Sequence, residues 1–304
     1  MPSPPPSDPA SSPIGGPEPA IAAGSGVGIG SRSGPDEELR QQRRNLFTTA
    51  GDRYRHDRPG YPPEVFELLA SRCGLGPGVD VLEIGPGGGQ ATEPLLDAGA
   101  SVVAVELGSE LAESLRSRLA HRPLEVTIGA FEEVALPERR FDLAVSATAF
   151  HWVPTAAGLA RCAEAVRPGG WLALWWNVWG DPDRPDPYHH ALQPVLERHA
   201  PHLTSPNPDG PGAPLYALDV AARTAEIDAD GRFGPVEHHR LRWTGRHDGA
   251  GLRALFATFS PWLALEPSVR EPLLDEMAAL VDRQFGGTVE RPYLTSIYLS
   301  RRQA

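Results

Sequence analysis

The sequence predicts an α/β chain built on a doubly wound, mostly parallel, seven-stranded sheet, with an N-terminal helical cap and an insertion after the fifth strand. Three observations carry the prediction. Short apolar runs, of the kind buried on both faces of a parallel sheet, alternate with helical segments. Glycines cluster where the first run ends and a helix begins, in Val81-Leu82-Glu83-Ile84-Gly85-Pro86-Gly87-Gly88-Gly89-Gln90-Ala91-Thr92. An acidic residue, Glu106, closes the second run twenty-one positions after Gly85.

Residues 1–35 are Pro, Ser and Gly with hardly a large apolar side chain. Such a segment cannot bury enough surface to offset its ordering entropy and reads as a disordered tail. Its series from Gly24 to Gly30 imitates a phosphate loop, but no strand precedes it and a flexible linker is the better reading. Residues 36–78 read as a helical cap, in which Pro62-Pro63-Glu64 opens a helix with Val65, Phe66, Leu68 and Leu69 at helical spacing.

The main domain then runs over 79–304. Strands are expected at 79–84, 101–106, 124–128, 141–147 and 171–176, separated by helices at 90–97, 109–121 and 155–166, with Pro168-Gly169-Gly170 as a turn. Residues 180–234 are Pro-rich and irregular, with a helix at 188–199, and are long enough to suggest an insertion that covers a substrate site. A strand at 236–243, helices at 250–259 and 268–285, the stop Gly286-Gly287 and a strand at 293–300 complete the chain.

The 304 residues carry 28 basic and 39 acidic side chains, a net charge of −11. That balance argues against nucleic acid as a partner, since phosphate binding needs a basic patch. No apolar run reaches the about 18 residues needed to cross a bilayer, and the N-terminus lacks a secretory pattern, so a cytoplasmic location is expected. Cys73 and Cys162 stand far apart without a metal-type spacing and read as reduced, buried thiols. No lysine occurs, which excludes a Schiff-base mechanism through lysine.

Glycine in the loop permits positive φ and removes the Cβ, so a ligand can approach the backbone beside a helix N-terminus. The spacing is E-x-G-x-G-x-G; a dinucleotide fingerprint would place its third glycine at Gln90. Glu106 is suited to accept hydrogen bonds from both hydroxyls of an unphosphorylated ribose.

Together with Tyr54 and Arg58-Pro59-Gly60-Tyr61-Pro62, Phe141-Asp142-Leu143, Phe150-His151-Trp152 and Arg167-Pro168-Gly169-Gly170, these features make the sequence resemble the class I S-adenosylmethionine-dependent methyltransferases, in the ubiquinone-biosynthesis-like branch that acts on small molecules. The resemblance spans roughly residues 45–178 and implies a Rossmann-like methyltransferase fold closed by an antiparallel C-terminal strand. It implies that Glu83, Gly85, Gly87 and Gly89 line the methionine part of the cofactor and that Glu106 holds the ribose. Ala130 stands where many relatives have an acidic residue for adenine, so adenine recognition would fall to a backbone group and to Phe131, which core packing explains equally well. Tyr54 and Arg58 would close over the cofactor, Arg58 meeting its carboxylate; an ion pair with Asp57 or Glu64 is the alternative.

The acceptor side should lie beyond the fourth strand, at Thr148, Phe150, His151 and Trp152. His151 is a candidate general base, or simply a ring that closes over the cofactor. Asn177 can orient an acceptor, and Trp175, Trp176 and Trp179 can wall an apolar pocket or pack in the core. The pairs His189-His190 and His238-His239 lack a third ligand, and no metal is expected. The absence of a D/N-P-P-Y motif after the fourth strand and of any Pro-Cys pair disfavours the nucleic-acid methylating enzymes of this fold.

The expected function is methyl transfer to an oxygen, nitrogen or carbon of a small organic molecule by in-line attack on the sulfonium methyl, catalysed mainly by proximity. The alternatives are a cyclisation or rearrangement on the same fold and a non-catalytic cofactor-binding protein.

Overall fold

The computed structural model describes residues 58–204 and 215–304. Tyr54, the expected tail and the cap up to residue 57 lie outside the described residues, as do positions 205–214 of the insertion.

Helix α1 (Pro63–Cys73) starts on Pro63, whose missing N–H costs nothing in a first turn, and stops at Gly74 in the left-handed conformation. There follow β1 (Asp80–Ile84), α2 (Thr92–Asp97), β2 (Ser101–Glu106), α3 (Ser109–Arg118), β3 (Leu124–Ile128), β4 (Phe141–Ala147), α4 (Thr155–Ala165) and β5 (Val166–Val178). The C-terminal half supplies α5 (Pro187–His199), α6 (Val220–Ala229), β6 (Glu237–His247), α7 (Gly249–Phe256), the short α8 (Ser260–Leu263), α9 (Pro267–Phe285) and β7 (Val289–Arg301).

The seven strands form one sheet in the order β3-β2-β1-β4-β5-β7-β6. Strands β1 to β5 pair in parallel, and β7 lies antiparallel between β5 and β6. This is the expected doubly wound, mostly parallel architecture. Strand order reverses between β1 and β4, which opens a crevice at their carboxyl ends.

Alternating side chains feed two apolar layers. Leu82, Ile84, Val103, Val105, Leu174 and Trp176 enter one, with Leu159 and Cys162 of α4. Val81, Val102, Ala104 and Trp175 enter the other, with Leu69 of α1 and Leu115 of α3. A third core, absent from the sequence expectation, joins α5, α7 and α9 through Tyr188, Leu192, Leu252, Leu273 and Met277.

Two boundaries differ from expectation for visible reasons. The expected turn at Pro168-Gly169-Gly170 is part of β5, which begins at Val166 and pairs it with Phe141 before a register shift. A bulge absorbs the prolyl-glycyl segment: Gly169 has φ +83°, and a Cβ on Gly170 would sit 2.7 Å from the Asp142 carbonyl oxygen. Within the region expected to be irregular, α6 forms behind an Asp219 side chain that accepts from the Ala222 N–H.

Candidate functional site

The crevice is a cavity at the carboxyl ends of β1, β2, β4 and β5, and its two halves differ in chemistry. On the β2 side stands Glu106, 7% exposed at the strand end. Its Oε2 accepts from the Gly87 N–H at 3.0 Å and its Oε1 from the Gly108 N–H at 2.8 Å. Burial pushes its carboxyl above the usual range, against the pull of the backbone N–H groups of Gly108, Gly87 and Leu107. Two bonds leave lone pairs on both oxygens, so a carboxylate fixed by backbone can still accept from a pair of adjacent hydroxyls.

Leu107, Leu111 and Phe131 supply apolar walls beside it, and Ala130 and Glu132 also line this half. Phe131 faces the cavity and belongs to the core as well, so both expectations for it meet in one ring. Glu132 brings a carboxylate to the same rim two positions after Ala130, where the resemblance had left none. A ribose held by Glu106 with a flat purine along Leu107 and Phe131 fits these residues.

The loop between halves is shaped by its glycines. Gly85 has φ +68°, and a Cβ there would stand 2.6 Å from that of Ala149. Gly87, at φ +54°, lines the cavity with Gly85, Pro86 and Gln90. Gly89 is not among the lining residues: it turns toward α3, where a Cβ would meet Leu115 and Arg118 at 2.7 Å.

Glu83 does not line the cavity either. Side chains alternate along β1, and this one is buried among polar neighbours, its Oε2 accepting from Thr92 Oγ1 at 2.7 Å. Its Oε1 is buried without a partner among the described residues, and burial raises its pKa to about 8.

On the β4 and β5 side, Thr148 holds a positive φ of 55°, rare for a β-branched residue. Its Oγ1 accepts from Tyr61 Oη at 3.0 Å and from the Asn177 N–H at 3.3 Å. Asn177, 2% exposed, receives Thr295 Oγ1 on its Oδ1 at 2.8 Å and donates Nδ2 to the Gly60 carbonyl at 3.2 Å. Its orientation is chemically determined. Trp243 Nε1, which can only donate, occupies Thr295 Oγ1 at 3.0 Å, so Thr295 donates to Asn177 and the amide oxygen must face it.

Arg58 lines the cavity and bonds neither Asp57 nor Glu64 in the expected way. Its Nε donates to Thr258 Oγ1 at 3.0 Å and its Nη2 to the Thr258 carbonyl at 3.1 Å, with Phe259 5.2 Å below the guanidinium. Trp152 and Trp179 reach the cavity. The Trp179 indole N–H is buried without a hydrogen-bond partner among the described residues, and its ring stands edge-on to Tyr293 at 5.3 Å.

Phe150 and His151 fall outside the cavity lining. A single 3₁₀ turn, Phe150–Trp152, points the three side chains in different directions, so Phe150 enters the core while Trp152 faces the crevice. His151 Nδ1 accepts the Trp176 indole N–H at 3.1 Å, which requires Nδ1 to be unprotonated and the imidazole neutral with its proton on Nε2. A ring held in that tautomer is a poor candidate for a base. Trp175 and Trp176 are core residues, with 0% and 1% exposure.

Tyr61, Gln90, Glu132 and Thr258 were not expected as site residues. Gln90 carried a signal, being a polar residue at a glycine-loop exit where a helix begins; Thr258 carried none, because it is 200 positions from Arg58. Among the described residues no group of three or more His, Cys, Asp or Glu side chains is arranged to hold a metal ion. His189 instead meets Gln193, and His238 meets Ser296.

A family profile described as a methyltransferase domain matches residues 82–174, the stretch from β1 into β5. An uncharacterized methyltransferase of Mycobacterium tuberculosis is 28% identical over 240 residues, covering 77% of this chain and 85% of that one. Among solved structures, a putative type II methyltransferase from Anaeromyxobacter dehalogenans superposes with a TM-score of 0.53 at 23% identity, over 81% of this chain and 97% of that one. The [4+2]-cyclase SpnF superposes with a TM-score of 0.51 at 14% identity, over 91% of this chain and all of that one.

Proposed function

Because this chain belongs to the class I S-adenosylmethionine-dependent methyltransferases, we propose that it passes the cofactor's methyl group to a small organic acceptor in the crevice between β4 and β5. The observation that carries the reading is Glu106, fixed by two loop N–H groups at the cavity rim where ribose hydroxyls would be held. S-adenosylmethionine supplies an activated methyl on sulfur, so the protein's task is alignment and exclusion of water. Glu106 and the walls at Leu107 and Phe131 hold the adenosyl end, Gly85 and Gly87 admit the chain toward sulfur, and Trp152 and Trp179 wall the acceptor end.

In this reading Asn177 is a positioning residue. Its amide is committed to Thr295 and Gly60, and so it holds residues 58–61 over the crevice. His151 acts through Trp176 and supports the wall without exchanging a proton with the acceptor. Both cysteines are buried and unpaired, and no described helix is long and apolar enough to cross a membrane, which supports a cytoplasmic location.

Calorimetric titration with S-adenosylmethionine and S-adenosylhomocysteine tests the reading. Both should bind in the micromolar range, and Glu106→Ala should weaken them by about 1.5–3 kcal/mol, the scale of hydrogen bonds to a charged group. Unchanged affinity in a folded variant would remove Glu106 from the site. Cyclisation on the same fold is the competing reading, and it is separated by product analysis: methyl transfer adds 14 Da to the acceptor and yields S-adenosylhomocysteine, about one per turnover.

A further inference from the structure

The acceptor half of the crevice is lined by donors. Thr148 Oγ1 already accepts from Tyr61 and from the Asn177 N–H, so toward a third partner this hydroxyl can only donate. Asn177 presents its oxygen to Thr295, as the polarity of the Trp243 bond demands, which leaves the second hydrogen of Nδ2 as its remaining polar offer. Trp179 adds a buried indole N–H without a hydrogen-bond partner among the described residues.

The complement is equally specific. Among the described residues that line the cavity the carboxylates are Glu106 and Glu132, both on the β2 and β3 side, and the one guanidinium, Arg58, is on the other. No imidazole lines it, since His151 is tied to Trp176 outside. Donors cost desolvation when buried, and they are matched only by a group rich in lone pairs.

Resting on the methyltransferase reading above, we infer that the acceptor is a carboxylate on an apolar body, methylated on oxygen to a methyl ester. One carboxylate oxygen is held by the donors of Thr148, Asn177 and Trp179 while the other attacks. The new bond joins that oxygen to the methyl carbon, the carbon–sulfur bond breaks, and its electron pair stays on sulfur. The carboxylate and the sulfonium each lose their charge, and no proton moves. A reaction without proton transfer explains why this half of the crevice carries no base, and the indole faces of Trp152 and Trp179 suit the apolar body.

The test uses the full chain. Binding of S-adenosylhomocysteine is established first by calorimetry, and the loaded protein is then titrated with straight-chain carboxylates from butanoate to decanoate and with 3-phenylpropanoate, each beside its amide and its amine. At least one carboxylate should bind about tenfold tighter than its amide and its amine, in line with hydrogen bonds to a charged acceptor. Trp179→Phe, which keeps the ring and removes the N–H, should weaken that carboxylate about tenfold and leave S-adenosylhomocysteine within about twofold.

If the protein does not take S-adenosylhomocysteine, the methyltransferase reading fails and this inference with it. If it does, but the amides or amines bind as well as the acids, or no member of the series binds, the inference alone is overturned. A loss in Trp179→Phe that falls on S-adenosylhomocysteine would assign the donors to the cofactor's own carboxylate and overturn it too.

Discussion

At the scale of single residues, Glu83 illustrates how a conserved-looking motif position can serve stability. Its carboxyl is buried, and desolvation raises its pKa to about 8 despite the bond from Thr92. The unfolded chain releases that proton near pH 4.5, whereas the folded protein keeps it to about pH 8. Between those values the folded state binds the extra proton, so stability falls as pH rises through this window. Glu83→Gln removes the ionisation, keeps an oxygen for Thr92, and should flatten the decline in melting temperature between pH 5.5 and 8.5. A decline as steep as the parent's would assign it to other groups. His151 gives a second test. His151→Leu strands the buried Trp176 N–H and should cost about 1–3 kcal/mol in urea unfolding, with S-adenosylhomocysteine affinity held within about twofold. Glu106 was legible because strand, loop and acid are local and their spacing survives in sequence. The directions of Phe150, His151 and Trp152 were not, because they depend on one 3₁₀ turn that no periodicity encodes.

At the scale of elements, the helical layer of α5, α7 and α9 is anchored to the sheet by one buried ion pair. Arg291 of β7, 2% exposed, donates Nε and Nη2 to Asp186 Oδ2 at 2.9 and 2.8 Å. Asp186 also caps α5, its Oδ1 accepting from the His189 N–H at 3.0 Å. Tyr188, Phe256 and Tyr293 surround the guanidinium within 5.6 Å, and Arg291 Nη1 has no hydrogen-bond partner among the described residues. Removing one member leaves an uncompensated buried charge, so Arg291→Met should cost about 3–5 kcal/mol in chemical unfolding. Adding Asp186→Asn, which keeps the cap and removes the charge, should restore more than half of that loss. No recovery would show that the cost lies in packing of the arginine stem. This layer was the least legible part of the fold. The helices at 188–199 and 268–285 could be read from apolar spacing, but that they meet each other depends on β7 entering between β5 and β6, an event invisible in local pattern.

At the scale of the whole molecule, residues 58–61 join three parts that the sequence separates widely. Arg58 reaches Thr258 beyond α7, the Gly60 carbonyl receives Asn177 at the end of β5, and Tyr61 donates to Thr148 after β4. The strap therefore covers the crevice only when the C-terminal helices and the sheet are both in place. Coupling of this kind means that a change outside the cavity should be felt inside it. Thr258 is not a lining residue, and Thr258→Val deletes the oxygen that accepts from Arg58 Nε while preserving size and shape. Loss of one such bond is worth about 0.5–1.5 kcal/mol, so S-adenosylhomocysteine should bind about two- to tenfold more weakly to the variant. Amide hydrogen exchange over residues 58–62 supplies the independent readout. Ligand should slow it in the parent, and the variant should exchange faster without ligand, because local opening follows from weaker tethering. If affinity fell but exchange at 58–62 did not change, the coupling would run through the helical layer itself, and Arg58 would contact the ligand independently of its Thr258 anchor.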